Sequence, residues 1–161
     1  MKIEKNKKIS MKLYIEDFIV SKDIDNGYGI KISEKIKKII LFDKNFPNED
    51  VWGNDEAFFI FSEKEPDKYL LEKVIEYILW LGEVKEELLN FYNKENFRHK
   101  LPNAGEDWFD GLSIFDFSIC IDKNDDFNTE ILLHDHIQND FGFRLEIENK
   151  HFKQIKYDPN L

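Results

Sequence analysis

The sequence predicts an α+β fold: a mainly antiparallel sheet with one or two helices packed on one face and a C-terminal β-meander. Three patterns predict it. From Asp67 to about Asn96, apolar residues recur at helical spacing. After Gly111 the period changes to two, the signature of half-buried strands. Ala57–Phe61 is a continuous apolar run, which suits a strand buried on both faces and central in its sheet. A chain of 161 residues, 42% hydrophobic and 15% aromatic, has the material for a core of its own and too many aromatics for disorder.

Residues 1–10 (MKIEKNKKIS) read as a polar, basic lead-in with the composition of a disordered segment, and 11–161 as a single domain. Met11–Val20 reads as a strand, followed by an Asn26-Gly27 turn. The β-branched residues of Tyr28–Phe42 favour two short strands broken near Ser33–Lys35. Phe46-Pro47-Asn48 and Trp52-Gly53-Asn54-Asp55 read as turns. Pro66 suits the first turn of a helix, with Asp67 at the end of the dipole that favours an acid. Leu70, Leu71, Val74, Ile75, Ile78, Leu79 and Leu81 form its stripe, and Gly82 ends or bends it. Residues 97–111 read as a loop. In Leu112–Asp122, alternation sets Phe115, Phe117, Ile119 and Ile121 inward and Asp116, Ser118, Cys120 and Asp122 outward. Glu130–Ile137, Phe141–Glu148 and Phe152–Tyr157 complete the meander, with turns at Asn124–Asp126 and Gln138–Asp140.

Charge gives the strongest hint of function. The net charge is −10, and residues 106–148 hold twelve acids against Lys123 and Arg144, so this segment carries the whole of it. Such a surface repels phosphate backbones and anionic lipid, which argues against nucleic acid or membrane as a partner. It favours a basic protein partner; the plain alternative is a solvated face that keeps the chain soluble. The candidate contacts are Asp107, Trp108 and Asp110 from a loop, with Asp116, Asp122, Glu146 and Glu148 from the wet side of the meander. Trp108 would be the aromatic anchor and the acids would meet Lys or Arg. The competing reading is that Trp108 and Phe109 plug the end of the core. Trp52, in its Asp50–Asp55 turn, is a similar cluster.

Motifs for catalysis are sparse. No Gly-x-Ser-x-Gly elbow, phosphate loop or dinucleotide fingerprint is present. Paired carboxylates such as Asp107 and Asp110, or Asp125 and Asp126, are what chance supplies among 33 acids. The lone Cys120, mid-strand, suits an inert thiol. His134 and His136 share a strand face and would reach one metal if Asp140 or His151 joined them; this is the basis for an alternative reading as a small metal-dependent hydrolase. The reading that leads is a non-enzyme with no cofactor and no metal. With one Cys, no apolar stretch after the N-terminal lysines and no apolar run of membrane length, a reducing cytoplasm is the expected setting.

The order of features resembles small bacterial domains classed with the immunity proteins of polymorphic toxin systems. The resemblance lies in the Trp52-Gly53 turn before the apolar strand Ala57–Phe61, the helical middle, and an acidic meander with the step Asp140-Phe141-Gly142-Phe143 near its end. It implies a cytoplasmic antidote that binds a cognate toxin domain, basic and nuclease-like, and occludes its active site. A second reading is an acidic adaptor or structural domain with another protein partner.

Overall fold

Strand formation starts later than the N-terminal pattern suggests. Asp17 Oδ2 accepts the amide of Tyr14 at 2.8 Å, and the chain makes one 3-10 turn over Ile15–Asp17 before extending. A computed structural model describes residues 12–24, 26–33, 36, 39–46, 58–138 and 141–158. The basic lead-in, the Trp52 turn, Pro47-Asn48, Ala57 and Asp140 lie outside the described residues. The elements are β1 (Phe18–Ile24), β2 (Gly27–Ile32), β3 (Ile39–Leu41), β4 (Lys44–Phe46) and β5 (Phe58–Ser62); α1 (Lys68–Leu81), α2 (Lys85–Lys94) and α3 (Glu106–Asp110); then β6 (Leu112–Ile121), β7 (Phe127–Asp135), β8 (Phe141–Glu148) and β9 (His151–Asp158).

The fold is α+β, built on a seven-stranded sheet in the order β1-β2-β5-β6-β7-β8-β9. Neighbours are antiparallel except β5 and β6, which run parallel. A parallel pair needs a long crossover, and α1, α2 and α3 supply it. β3 and β4 pair with each other as a separate hairpin.

Asp67 caps α1, its Oδ1 accepting the amide of Leu70 at 2.8 Å, so Pro66 lies one residue before the cap and outside the first turn. The helix buries Leu70, Leu71, Val74, Tyr77, Ile78 and Leu81. Ile75 is half-buried and Leu79 is exposed, so the buried stripe turns further toward Tyr77 than the apolar spacing implies. At the far end, the β3–β4 turn closes the helix. Phe42 and Asp43 sit at φ 50° and 58°, and their amides reach Leu81 O at 2.8 Å and Gly82 O at 3.0 Å. Terminal carbonyls of a helix need such donors. Glycine is required at 82, where a Cβ would lie 2.9 Å from Ile40 O.

All three helices lie on one side of the sheet. Tyr77 of α1 meets Thr129 and Phe127 of β7; Tyr92 of α2 and Trp108 of α3 both meet Phe143 of β8. Phe127, Thr129, Ile131, Leu133 and Asp135 are the buried face of β7. In β6 a bulge between Ile114 and Asp116 resets the alternation: Ile114, Phe117, Ile119 and Ile121 face the core, and Phe115 is only half-buried. An inserted residue flips everything on one side of it, which is why Phe115 does not share the inward face of Phe117. Two further boundaries differ from expectation. β7 begins at Phe127 and ends at Asp135, with His136–Gln138 in a 3-10 turn. The stretch 97–111 contains the short helix α3. No helix among the described residues is long and apolar enough to cross a membrane.

Candidate partner-binding site

The seven candidate contacts do not form one surface. Asp107 and Asp110 lie on α3, in the helix layer. Asp122 sits in the β6–β7 turn. Asp116, Glu146 and Glu148 lie on the sheet face that the helices leave open.

Trp108 is the clear correction: it is 1% exposed and is no surface anchor. Its ring lies 4.0 Å from that of Tyr92 and 6.1 Å from that of Phe143, centroid to centroid. A buried indole N–H needs an acceptor, and Trp108 Nε1 donates to Asp135 Oδ2 at 2.8 Å. Tyr157 OH donates to the same oxygen at 2.6 Å, and Ile137 N to Oδ1 at 3.1 Å. Since the Tyr157 proton goes to the carboxylate, the 2.9 Å contact between Tyr157 OH and Tyr92 OH has Tyr92 as donor; Tyr92 OH in turn accepts Leu101 N at 2.8 Å. Burial, then the bonds to Asp135 and Tyr92, push the Tyr157 phenol well above its ordinary range. This chain ties β7, β9, α2 and α3 together inside the core. Asp135, one of the twelve acids of the charged segment, is itself 0% exposed.

The acids around α3 are balanced by bases of this chain. Lys85 pairs with Glu106, and the ammonium groups of Lys44 and Lys85 sit 4.5 and 4.7 Å from the Phe109 ring centroid. Lys44 Nζ also reaches Asp110 O at 3.5 Å. Burial lowers the Lys44 pKa, with Asp110 opposing that shift and Lys85 adding to it. In the β6–β7 turn, Asp122 Oδ1 accepts the amides of Asn124 and Asp126 at 2.8 and 3.0 Å, Asp126 accepts Asn149 Nδ2, and Asp125 pairs with Lys64. These carboxylates hold the turn in shape.

On the open face, cross-strand register sets the order. Asp116, Leu132, Arg144 and Lys156 form one row, Ser118, Glu130, Glu146 and Gln154 the next, and Cys120, Asn128, Glu148 and His151 a third. Glu130 and Glu146 are direct partners across β7 and β8, an arrangement of like charges that destabilises a sheet. Arg144 Nε lies 3.5 Å from Glu130 Oε1 and offsets part of that repulsion. Glu130 is absent from the candidates drawn from the sequence, although the parity of β7 places it opposite Thr129 and Ile131.

The histidines do meet. The rings of His134 and His136 stand edge to face with centroids 4.8 Å apart, and Ser113 Oγ is 2.8 Å from His136 Nε2. His151 is no third ligand: it pairs with Glu148 and His134 with Gly142, six residues apart on β8, or about 20 Å at strand rise. Asp140 lies outside the described residues, and among those described no group of three His, Cys, Asp or Glu stands ready to hold a metal. A cavity of about 230 Å³ between α1 and the β8–β9 turn is lined by Lys73, Tyr77, Phe127 and Asn149 among others, below the roughly 300–1,000 Å³ usual for small-molecule sites. No family model, curated protein or solved structure matches the chain.

Proposed function

We propose that this chain is a binding protein that neutralises a basic protein partner by occlusion, in the manner of an immunity protein against a cognate toxin domain. The observation that carries the reading is the one-sided construction of the sheet. Three helices cover one face, while the other carries Asp116, Glu130, Glu146 and Glu148 against Arg144 and Lys156 in strands β6–β9. Adjacent acids on one face of a sheet suit the substrate-binding side of a nuclease, which must be basic to hold phosphates. Blocking such a surface needs shape and charge and no chemistry of its own. The alternative adaptor role would use the same face without protecting a cell from anything.

The test is growth protection. The chain is captured from its native host with its partner, the partner is identified by mass spectrometry, and the two are expressed separately and together. A partner that is basic, toxic alone and harmless beside this chain supports the reading. A partner that is acidic, or toxicity that persists at matched expression, refutes it.

A further inference from the structure

The geometry points to the open face of the sheet, centred on Glu130 and Glu146 between Cys120 and Arg144, as the docking surface for the basic partner; α3 and the β6–β7 turn are excluded from it. The inference rests on the proposed binding role and fixes which of three acidic regions performs it.

Three observations separate this face from the other two. The first is extent. Strands β6–β9, at ~3.4 Å per residue and ~4.8 Å between strands, present about 570 Å², most of the roughly 800 Å² per partner in a standard interface. A five-residue helix and a tight turn offer far less. The second is occupation of the carboxylates. Asp122, Asp125 and Asp126 shape their own turn or pair with Lys64, and Glu106 of α3 is engaged by Lys85; on the open face Arg144 reaches Glu130 at 3.5 Å from one end of the acidic pair. The third is cost. Glu130 and Glu146 face each other across adjacent strands, with Glu148 two residues further along the same side. A sheet selected only for stability gains by separating such charges. Their juxtaposition suits a partner that inserts a lysine or arginine between them and relieves the repulsion on binding. Arg144, at one end of the pair, marks the edge of the acidic strip and fixes the direction in which a basic segment would lie.

Cys120 makes the face testable without engineering a handle, because it is the single cysteine of the chain and is exposed. It faces Phe61 on β5 and Asn128 on β7. Partial burial, then Glu130 and Glu63, raise its thiol pKa, so modification is run above neutral pH. The probe is a fluorescent octalysine peptide at low salt. Glu146→Gln with Glu148→Gln should weaken peptide binding about tenfold, the sum of two exposed charge contacts, while the midpoint of unfolding stays level or rises as the repulsion is removed. Asp107→Asn with Asp110→Asn should change binding less than twofold. A bulky polyethylene-glycol maleimide on Cys120 should abolish binding, and Cys120→Ser treated with the same reagent should retain it.

The proposal is overturned if the α3 pair matters as much as the sheet pair, or if Cys120 in the folded protein refuses the reagent. A concentration-dependent dimer that shields Cys120 also overturns it, by giving the face to a second copy. The two levels of inference fail separately. A cognate partner neutralised equally well by the Cys120-modified protein would leave the binding role standing and remove this surface. Peptide binding at this face with no basic partner in the host would do the reverse.

Discussion

Removal of the Asp135 carboxylate should be among the most damaging single changes this protein can suffer. Asp135→Ala strands two buried donors, Trp108 Nε1 and Tyr157 OH, and the part-buried Ile137 N, now 2.8, 2.6 and 3.1 Å from its oxygens. A hydrogen bond to a charged acceptor contributes about 1.5–3 kcal/mol. Three that share one acceptor are not additive, and removing one side of a buried charged network costs about 3–5 kcal/mol. Against a total stability of about 5–15 kcal/mol, the variant keeps a fold but loses much of its margin. With a urea slope of about 2 kcal/mol per molar for a small domain, the midpoint falls by roughly 2 M. Asp135→Asn keeps the volume and one acceptor oxygen. With that oxygen in the Oδ2 position, Tyr157 and Trp108 both keep their acceptor and the Ile137 amide meets an NH2 in place of Oδ1, so about 1–3 kcal/mol is lost. The assay is urea unfolding followed by circular dichroism and by tryptophan emission; Trp108 reports on the site, with Trp52 and Trp80 as the other two tryptophans. Asp107→Ala, exposed on the same helix as Trp108, serves as control and should stay within about 0.5 kcal/mol. A loss under about 1 kcal/mol for Asp135→Ala would refute the reasoning: it would mean that aromatic packing alone holds Trp108 and that the carboxylate is a bystander.

Two further outcomes are expected. Ile78→Ala should cost about 2–5 kcal/mol, because Ile78 is 0% exposed, whereas Ile75→Ala should cost under half of that; equal losses in urea would show that the stripe of α1 is misassigned. At high pH the buried phenols should destabilise the fold. Burial pushes Tyr77 up to about 12, with its bond to Thr129 opposing, and Tyr157 is raised further by burial and its bond to Asp135. Both keep their protons in the folded chain while the unfolded chain loses them near pH 10, so the stability they confer is complete below pH 10 and falls as pH rises beyond it. Tyrosinate absorbance should then show these two of the six tyrosines ionising together with loss of far-ultraviolet dichroism; ionisation of all six in the folded state would contradict it.

Much of the architecture was legible because it depends on local periodicity. The strands of the meander follow from alternation in Phe141–Glu148 and its neighbours, and α1 follows from apolar spacing with Asp67 at its N-terminal end. What escaped depends on contacts distant in sequence. The parallel pairing of β5 with β6 depends on where the helical crossover returns the chain. The bulge at Phe115 answers to the register of β7. The turn at Phe42-Asp43 carries none of the usual Asn-Gly signal; it is held by α1, whose carbonyls accept its amides some forty residues away in sequence.

The acidic segment shows why a charge count along a chain is a poor map of a surface. Twelve acids in 106–148 suggest one wet face, but a strand sends alternate residues to opposite sides, and parity sorts those acids before any partner arrives. On β7 the sequence Phe127, Thr129, Ile131, Leu133 already assigns the odd positions to the core, and Asp135 is the next of them. An acid on a core parity calls for donors, and the large aromatics with polar tips, Trp108 and Tyr157, were the available ones. The same parity sends Glu130 outward, opposite Glu146. Applied strand by strand, the alternation therefore separates an acid that organises the core, Asp135 with the Trp108 indole bonded to it, from the pair Glu130 and Glu146 left on the open face.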